Sequence, residues 1–142
     1  MKKNNNVTTK INQTIEDIWM NLEKKERQYI KPVLNNQQYV LLTWVIRHPF
    51  SSPSEIANKM EITKSAVSQQ LARLEKDGYI IKKQHQTDKR TYSIHLDEKG
   101  KQYQREIDAF NQHIAQKYNE QLTFEELTQM LDSLQKLNKL LK

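Results

Sequence analysis

The segment Ser51–Leu96 reads SSPSEIANKMEITKSAVSQQLARLEKDGYIIKKQHQTDKRTYSIHL, and its pattern decides the fold. It predicts two short helices followed by a basic two-stranded hairpin. Ser52 can cap the first helix, Pro53 suits the first helical position, and Glu55 completes a Ser-x-x-Glu capping box. The apolar residues of this helix share one face: Ile56, Ala57 and Met60. The helix then ends at a tight break before Thr63.

The second predicted helix lies between Thr63, a natural N-cap, and Gly78, a natural residue for the position after the C-cap. Its apolar residues fall within an arc of roughly 60° on a helical projection. They are Val67, Leu71 and Leu74. The opposite face holds Ser65, Ser68, Gln69 and Ala72, with Lys64 and Arg73 on its flanks. Because these side chains are small, hydrogen-bonding or basic, such a face can lie close to the edges of stacked base pairs.

A basic hairpin follows the helix pair, and we interpret it as a wing. Its first strand is predicted at Tyr79–Lys83. Residues 91–96 alternate between polar and apolar side chains, the period of a half-buried strand, so that Ser93 and His95 are predicted to face outward. The connecting loop carries three charged residues near its far end: Asp88, Lys89 and Arg90. A solvated basic loop is the other interpretation, and the position directly after a helix pair favours the wing.

Two helices joined by a tight turn are typical of the helix-turn-helix, whose second helix enters the major groove. This one resembles the MarR family of bacterial transcription regulators. Residues 65–78 are similar to the family's recognition helix and turn, and residues 88–90 match its Asp-x-Arg wing motif. Residues 96–100 are similar to its Leu-Thr-x-x-Gly helix start. Asp97 stands where threonine is common, a replacement that preserves capping.

The resemblance implies a mainly α fold with a small β wing, in which dimerisation helices flank a winged helix-turn-helix. The chain, residues 1–142, would be one protomer. Residues 34–98 would form the DNA-binding part, with dimerisation helices at 8–31 and 99–142. The implied partners are a second copy of the chain and a near-palindromic double-stranded operator. Arg90 would reach the minor groove, aimed by Asp88.

Apolar stripes at helical spacing mark the segments outside the winged part. A first helix is predicted from Thr8 or the residue after it, and Asn35 can cap a second one. A Thr-x-x-Glu capping box at Thr123 starts a last helix, with leucines every seven residues at 127, 134 and 141. These stripes could simply close the core of one chain. A winged helix needs few helices, however, so the matching helices of a second copy are predicted to cover them.

Composition excludes several other function classes. The 142 residues include 23 lysines and arginines against 17 acids, a formal charge of +6 that suits a nucleic-acid partner without proving one. There is no cysteine, so disulfides and thiolate metal sites are ruled out. No apolar run approaches the ~20 residues of a membrane span. Lys2 and Lys3 lead into a polar stretch unlike a secretory signal, which predicts a cytoplasmic protein that does not bind membranes.

Catalytic and metal chemistry have no support in the sequence. The two glycines are isolated and build no phosphate-binding loop, and no serine lies in a nucleophile elbow. The four histidines lie in four different elements, without metal-ligand spacing: His48, His85, His95 and His113. We therefore predict no enzyme activity, no catalytic residue, no resident metal and no cofactor.

Aromatic residues on the first two helices suggest a place for a ligand. Members of the MarR family often bind small aromatic or lipophilic effectors in a crevice between the dimer helices and the winged domain. The resemblance implies that Trp19, Tyr39 and Trp44 could line such a crevice. Aromatic residues at helical spacing are more often simply core residues, and that interpretation stays open.

The sequence thus predicts a dimeric, sequence-specific DNA-binding transcriptional regulator, a repressor released by a small-molecule effector. One alternative is a winged-helix module that binds a protein, and another is a metal-responsive regulator of the same fold. Protein docking would favour exposed Leu, Phe or Tyr on the second helix, where Ser65, Ser68 and Gln69 stand instead. A membrane-surface protein would need a basic amphipathic helix, and the mixed charges of the first and last helices disfavour it.

Overall fold

The structure, a computed structural model, describes residues 2–30, 34–88 and 90–142. Its elements are α1 (Lys2–Tyr29), α2 (Asn36–Arg47), α3 (Pro53–Met60), α4 (Lys64–Lys76), β1 (Ile80–Gln84), β2 (Tyr92–Leu96), α5 (Glu98–Gln121) and α6 (Phe124–Leu140). The predicted mainly helical fold with a two-stranded wing is therefore confirmed. The chain forms two compact units, which divide after Glu106 within α5.

Helix α1 begins at Lys2, so the predicted start at Thr8 or the residue after it is wrong. The hydroxyls of Thr8 and Thr9 donate to the carbonyl oxygen of Asn5, at 3.0 and 2.8 Å. Such bonds to a carbonyl three or four residues earlier are made by threonines inside a helix, whereas a capping threonine accepts from a later N–H. The sequence alone did not distinguish these two uses of a threonine hydroxyl. The helix ends at Tyr29, close to the predicted end.

The predicted caps at Asn35 and Thr123 are confirmed, and each forms a complete capping box. At α2, Asn35 accepts from Gln38 N at 2.9 Å, and the Gln38 side chain accepts from Asn35 N at 3.1 Å. At α6, Thr123 and Glu126 make the same reciprocal pair, both bonds at 3.1 Å. Each box satisfies two N–H groups that a helix start otherwise leaves unpaired.

The short helix α3 forms only half of its predicted capping box. Ser52 accepts from Glu55 N at 3.2 Å, and no reciprocal bond joins the Glu55 side chain to the cap. Glu61, in the left-handed region at φ 55°, ends this helix and makes the tight turn. Thr63 then caps α4 as predicted, accepting from Ala66 N at 3.1 Å.

The core of the first unit joins the helix pair to the wing. Its fully buried side chains are Leu41, Leu42, Ile56, Val67, Leu71, Leu74, Ile80 and Ile94. They come from α2, α3, α4 and both strands, so one apolar core holds all five elements. Truncating a buried leucine of this kind to alanine typically costs about 2–5 kcal/mol, which makes the core the main source of stability.

The wing strands pair in antiparallel register, with Ile80 opposite Leu96 and Gln84 opposite Tyr92. The predicted alternation in β2 is only partly correct, because Ser93 is buried, with 9% of its surface exposed. The turn after α2 is bound to this strand, since Ile94 N donates to the carbonyl oxygen of Ser51 at 3.1 Å. This bond joins two segments far apart in sequence.

Gly100 fixes the start of α5 against the turn that follows α4. A Cβ atom at this position would fall on the carbonyl oxygen of Tyr79, so that only glycine fits. The same turn accepts two further bonds, from Asp97 N to Tyr79 O at 2.9 Å and from Lys99 N to Gly78 O at 3.2 Å. The wing is therefore held between α4 and α5.

The apolar stripes of the outer helices remain on the surface of the single chain. No residue of α6 is buried. Its exposed apolar residues are Phe124, Met130, Leu131, Leu134 and Leu140. In α1 the exposed set is Val7, Ile11, Ile15, Ile18, Trp19 and Met20. Within the described ranges, no helix is both long enough and apolar enough to span a bilayer.

Candidate nucleic-acid interface

One exposed face of α4 carries all five side chains predicted for recognition. They are Lys64, Ser65, Ser68, Gln69 and Arg73. The opposite face is anchored, because Val67, Leu71 and Leu74 are completely buried. This division follows from the helical period, which puts residues three and four apart on one side. The structure thus presents hydroxyl, amide and basic groups on a helix that the core holds rigidly.

A side-chain bond that the sequence did not predict ties α4 to α2. Gln70 Nε2 donates to Gln37 Oε1 at 2.7 Å, across 33 residues of sequence. Gln70 adjoins Gln69 in sequence, yet it is half-buried while Gln69 is exposed. Nothing in the local pattern distinguishes these two amides. The bond helps to fix the angle at which α4 leaves the core.

The wing tip is shaped by the carboxylate of Asp88. Its Oδ1 accepts from Arg90 N at 3.0 Å and from Arg90 Nε at 3.4 Å. The carbonyl oxygen of Asp88 also accepts from Thr91 N at 3.2 Å and Thr91 Oγ1 at 3.1 Å. The predicted wing residue Lys89 lies outside the described residues. Asp88 therefore closes a local turn and at the same time holds one end of the arginine side chain.

Arg90 is almost fully open to solvent, with 92% of its side chain exposed. An ion pair this exposed adds little to stability, typically about 0–1 kcal/mol. Its consequence is geometric, because the bond at Nε leaves the terminal guanidinium nitrogens free to meet another acceptor. On β1 and β2 nearby, Lys82 lies over the ring of Tyr92 at 5.1 Å, so the wing carries further positive charge.

Of the three aromatic residues predicted to line an effector crevice, Tyr39 and Trp44 each make a ring contact with another residue, and Trp19 is exposed. Trp19 is 65% exposed on α1. Trp44 stacks on His48, with ring centroids 3.9 Å apart and planes 18° apart. Tyr39 instead meets Tyr103 edge to face, with centroids 6.1 Å apart. The structure therefore pairs each α2 aromatic with a residue that the sequence analysis did not consider for this site.

Tyr39 belongs to a polar cluster that joins α1, α2 and α5. Its hydroxyl donates to Glu26 Oε1 at 2.9 Å. Burial, then the bond to Glu26 and its charge, raises the pKa of Tyr39 to about 12. Burial likewise raises the pKa of Tyr103 far above its ordinary value. Both phenols therefore stay neutral donors at physiological pH.

Trp44 has a buried indole N–H that finds no acceptor among the described residues. A buried donor without a partner is costly, so this group is available to an acceptor on a bound molecule.

Potential metal ligands are not clustered in the part of the chain that the structure describes. Across residues 2–30, 34–88 and 90–142, no group of three His, Asp or Glu side chains is arranged to hold a metal ion.

Solved structures share this fold over nearly the whole chain. FabT of Streptococcus pneumoniae, solved in complex with DNA, superimposes with a TM-score of 0.79 at 23% identity, over 94% of this chain and 96% of that one. A MarR family protein from Bacillus stearothermophilus gives 0.73 at 20% identity, over 95% of both chains. MepR of S. aureus, bound to ethidium bromide, gives 0.69 at 23% identity, over 92% and 96%. These likenesses establish the fold.

Sequence relatives match part of the chain. The HTH-type transcriptional regulator BilQ of Clostridioides difficile is 28% identical over 63% of this chain and 64% of its own. An uncharacterized HTH-type transcriptional regulator of Bacillus cereus is 36% identical over 47% and 44%. The chain thus spans less than two thirds of the length of these curated relatives. The MarR family model matches residues 34–92, the helix pair and most of the wing, so this part of the chain is similar to the MarR family.

Proposed function

We propose that this chain is one subunit of a dimeric, sequence-specific DNA-binding transcription regulator that acts in the cytoplasm. The observation that carries the proposal is the exposed face of α4, where hydroxyl, amide and basic groups stand and no acidic residue occurs before Glu75 in the last turn. That chemistry suits base edges and phosphates and would serve an apolar protein partner poorly. The DNA complex of the similar protein FabT and the regulator names of the relatives support it. The family comprises transcription regulators rather than enzymes.

A second copy of the chain is the proposed cover for the outer helices. In a single chain α6 buries nothing, and α1 exposes a row of isoleucines together with Trp19. Exposed apolar stripes of this extent mark interaction surfaces. We assign residues 34–98 to DNA binding, and α1 together with residues 99–142 to dimerisation. Two-fold symmetry would then require a near-palindromic operator, with half-sites about one helical turn apart.

On that operator, each α4 would enter a major groove and each wing would lie along the flanking backbone. Arg90 would reach the minor groove, which is narrow and strongly negative in A·T-rich DNA. Asp88 would not contact DNA, because a carboxylate near phosphate is repelled. Its role would be to orient Arg90 through the bond at Nε.

Recognition by α4 is tested by Ser65→Ala and Gln69→Ala. Each change should cost about 1–3 kcal/mol on the operator, because it removes hydrogen bonds to base edges. Affinity for random duplex DNA should barely change, since that affinity comes mainly from phosphate contacts. Both affinities can be measured by fluorescence anisotropy. Ser133→Ala on α6, exposed and distant in sequence, is the control and should bind as the parent does. Equal losses on operator and random DNA would exclude α4 as the reading element.

We further propose that the regulator is a repressor released by a small aromatic or lipophilic effector that contacts Trp44 and Tyr39, with Trp19 contributing at the surface. Two features support this proposal. The buried N–H of Trp44 lacks an acceptor, and neutral Tyr39 offers a phenol held by Glu26. The ethidium complex of the similar protein MepR supports a ligand-binding role for the fold.

A salicylate-like compound should quench tryptophan fluorescence and release operator DNA over the same concentration range. One difference in ligand affinity between free and DNA-bound protein governs both effects. Trp44→Phe should weaken both together, while Trp19→Phe should leave most of the release intact. If quenching occurs with no release of DNA, the compound is not an effector.

A further inference from the structure

A cavity of about 430 Å³ lies within the first unit, at the outer side of the wing. It is bounded by the end of α2, the turn that follows α2, both wing strands and the first turns of α5. The aromatic residues of the proposed effector crevice do not line it. Apolar side chains, such as Ile81 and Phe50, form most of the lining. The volume falls in the usual range for small-molecule sites.

The charged side chains that line this cavity are all positive. Its lining includes the exposed Lys83 on β1 and Lys101 on α5, together with His95 on β2. Among the described residues that line it, none is acidic. Strand register puts Ile81 directly opposite His95, so an apolar and an aromatic side chain share this face of the wing. The surface is apolar with a positive edge, which complements an amphiphilic anion.

Phe50, one of the lining residues, combines a left-handed backbone conformation with a largely exposed aromatic side chain. Its φ of 67° lies in the left-handed region, and its side chain is 68% exposed. It follows Pro49 in a turn, at a position where glycine or asparagine is favoured. The turn itself is held by other groups, since Ser51 Oγ donates to His48 O at 2.7 Å. Neither burial nor turn chemistry therefore accounts for an aromatic residue at this position.

The ring of Phe50 faces that of His95, with centroids 5.0 Å apart and planes at 62°. Ser93 Oγ lies 2.8 Å from His95 Nε2, which fixes the imidazole orientation. Burial, and next the charge of Lys83, lowers the pKa of His95. The imidazole is therefore neutral near pH 7 and adds an aromatic wall rather than a third charge. Two aromatic rings thus stand beside two lysines.

We propose that this cavity binds a small aromatic carboxylate, with its ring against Phe50 and His95 and its carboxylate toward Lys83 and Lys101. Edge-to-face and offset ring contacts suit two aromatic walls that meet at an angle. A carboxylate gains charge-assisted hydrogen bonds from the lysine ammonium groups. The inference goes beyond the proposed DNA-binding function and does not depend on it, because ligand binding can be measured on the free protein.

The first test is calorimetric titration of the full chain with 2-naphthoate. The uncharged analogue 2-naphthamide, of the same shape, is the ligand control. Saturable naphthoate binding is expected that persists in Trp44→Phe, the variant that weakens the separate effector crevice, with the amide roughly tenfold weaker. The double variant Lys83→Gln/Lys101→Gln should lose roughly tenfold in naphthoate affinity and should no longer distinguish acid from amide.

The protein offers a matched control for charge. Lys82 lies on the same strand as Lys83 but directs its ammonium over the Tyr92 ring, and Lys99 lies over Tyr79 at 5.8 Å. The double variant Lys82→Gln/Lys99→Gln also removes two positive charges, each within two residues of a lysine that lines the cavity. It should bind naphthoate as the parent does. Equal weakening by both double variants would mean a general charge effect and would overturn the proposal.

Phe50→Gly separates a ligand-binding role from a structural one. Glycine accepts the left-handed conformation, so the melting temperature should stay the same or rise. Naphthoate affinity should nevertheless fall by roughly tenfold, because one aromatic wall is gone. Unchanged affinity, or equal binding of acid and amide, would overturn the site. A change in oligomeric state on Phe50→Gly would assign this surface to contact between copies instead and would also overturn it.

Discussion

Replacing Leu134 by lysine is expected to separate the protein into monomers and to abolish two-half-site DNA binding. Leu134 lies at the centre of the exposed apolar stripe of α6, with 48% of its surface open in the single chain. In the proposed dimer this stripe is buried against the partner. The variant would place a charge there, where desolvation is costly.

The size of this effect follows from the symmetry of a dimer. Full burial of a leucine side chain contributes about 1.5–3 kcal/mol, and about half of that is available at Leu134, which is 48% exposed in the single chain. With two copies in each dimer, the loss is about 1.5–3 kcal/mol, which corresponds to a dissociation constant roughly tenfold or more higher before any cost of the buried charge. Sedimentation velocity over a range of protein concentrations measures this change directly.

Gln129→Lys is the matched control, because residue 129 lies on the opposite side of the same helix. It adds the same charge to α6 and should remain dimeric. Removal of residues 129–142 should act like Leu134→Lys, through loss of the same stripe. A Leu134→Lys protein that still sediments as a dimer would place the interface on other elements.

Arg90→Ala is expected to reduce operator affinity by roughly 30-fold or more while leaving the fold intact. Each arginine contact with DNA typically contributes about 1–3 kcal/mol, and a dimer carries two wings. The Arg90 side chain is 92% exposed and packs into no core, so its loss should not lower the melting temperature. Asp88→Ala should do milder damage of the same kind, because the guanidinium remains but loses its fixed orientation.

Salt dependence provides a second measurement of the same variant. If each Arg90 neutralises one phosphate, the slope of log affinity against log salt should fall by about two units for the dimer. Arg105→Ala is the control, since Arg105 is an exposed arginine of α5 that bonds Gln102 at 2.8 Å. Arg105→Ala also removes one positive charge, but at a position outside the wing, so it should change the slope of log affinity against log salt only little. Unchanged affinity and slope in Arg90→Ala would rule out the wing as a DNA contact.

Local chemistry explains which elements were predictable. Caps at Asn35, Thr63 and Thr123 were predicted correctly because a capping bond joins residues only three positions apart. The buried and exposed faces of α4 were predictable for a similar reason, since the helical period fixes them. A threonine hydroxyl can cap a helix start or donate to an earlier carbonyl inside a helix. Thr8 and Thr9 do the latter, so the predicted start of α1 was wrong.

Contacts between distant segments explain what was missed. The bond between Gln37 and Gln70 spans 33 residues, and neither amide differs in type from its exposed neighbours. Glu26, Tyr39 and Tyr103 meet only because three helices converge. The raised pKa values of Tyr39 and Tyr103 and their ring contact depend on that convergence.

The sequence by itself determined the caps at Asn35, Thr63 and Thr123 and the polar and basic face of α4, because short-range hydrogen bonds and periodicity specify them. Tertiary structure alone decided that Ser93 is buried, that Phe50 meets His95, and that the stripe of α6 stays uncovered in one chain. These outcomes depend on which surfaces meet. Burial and side-chain pairing are properties of the packed chain, and no short window of sequence contains both partners.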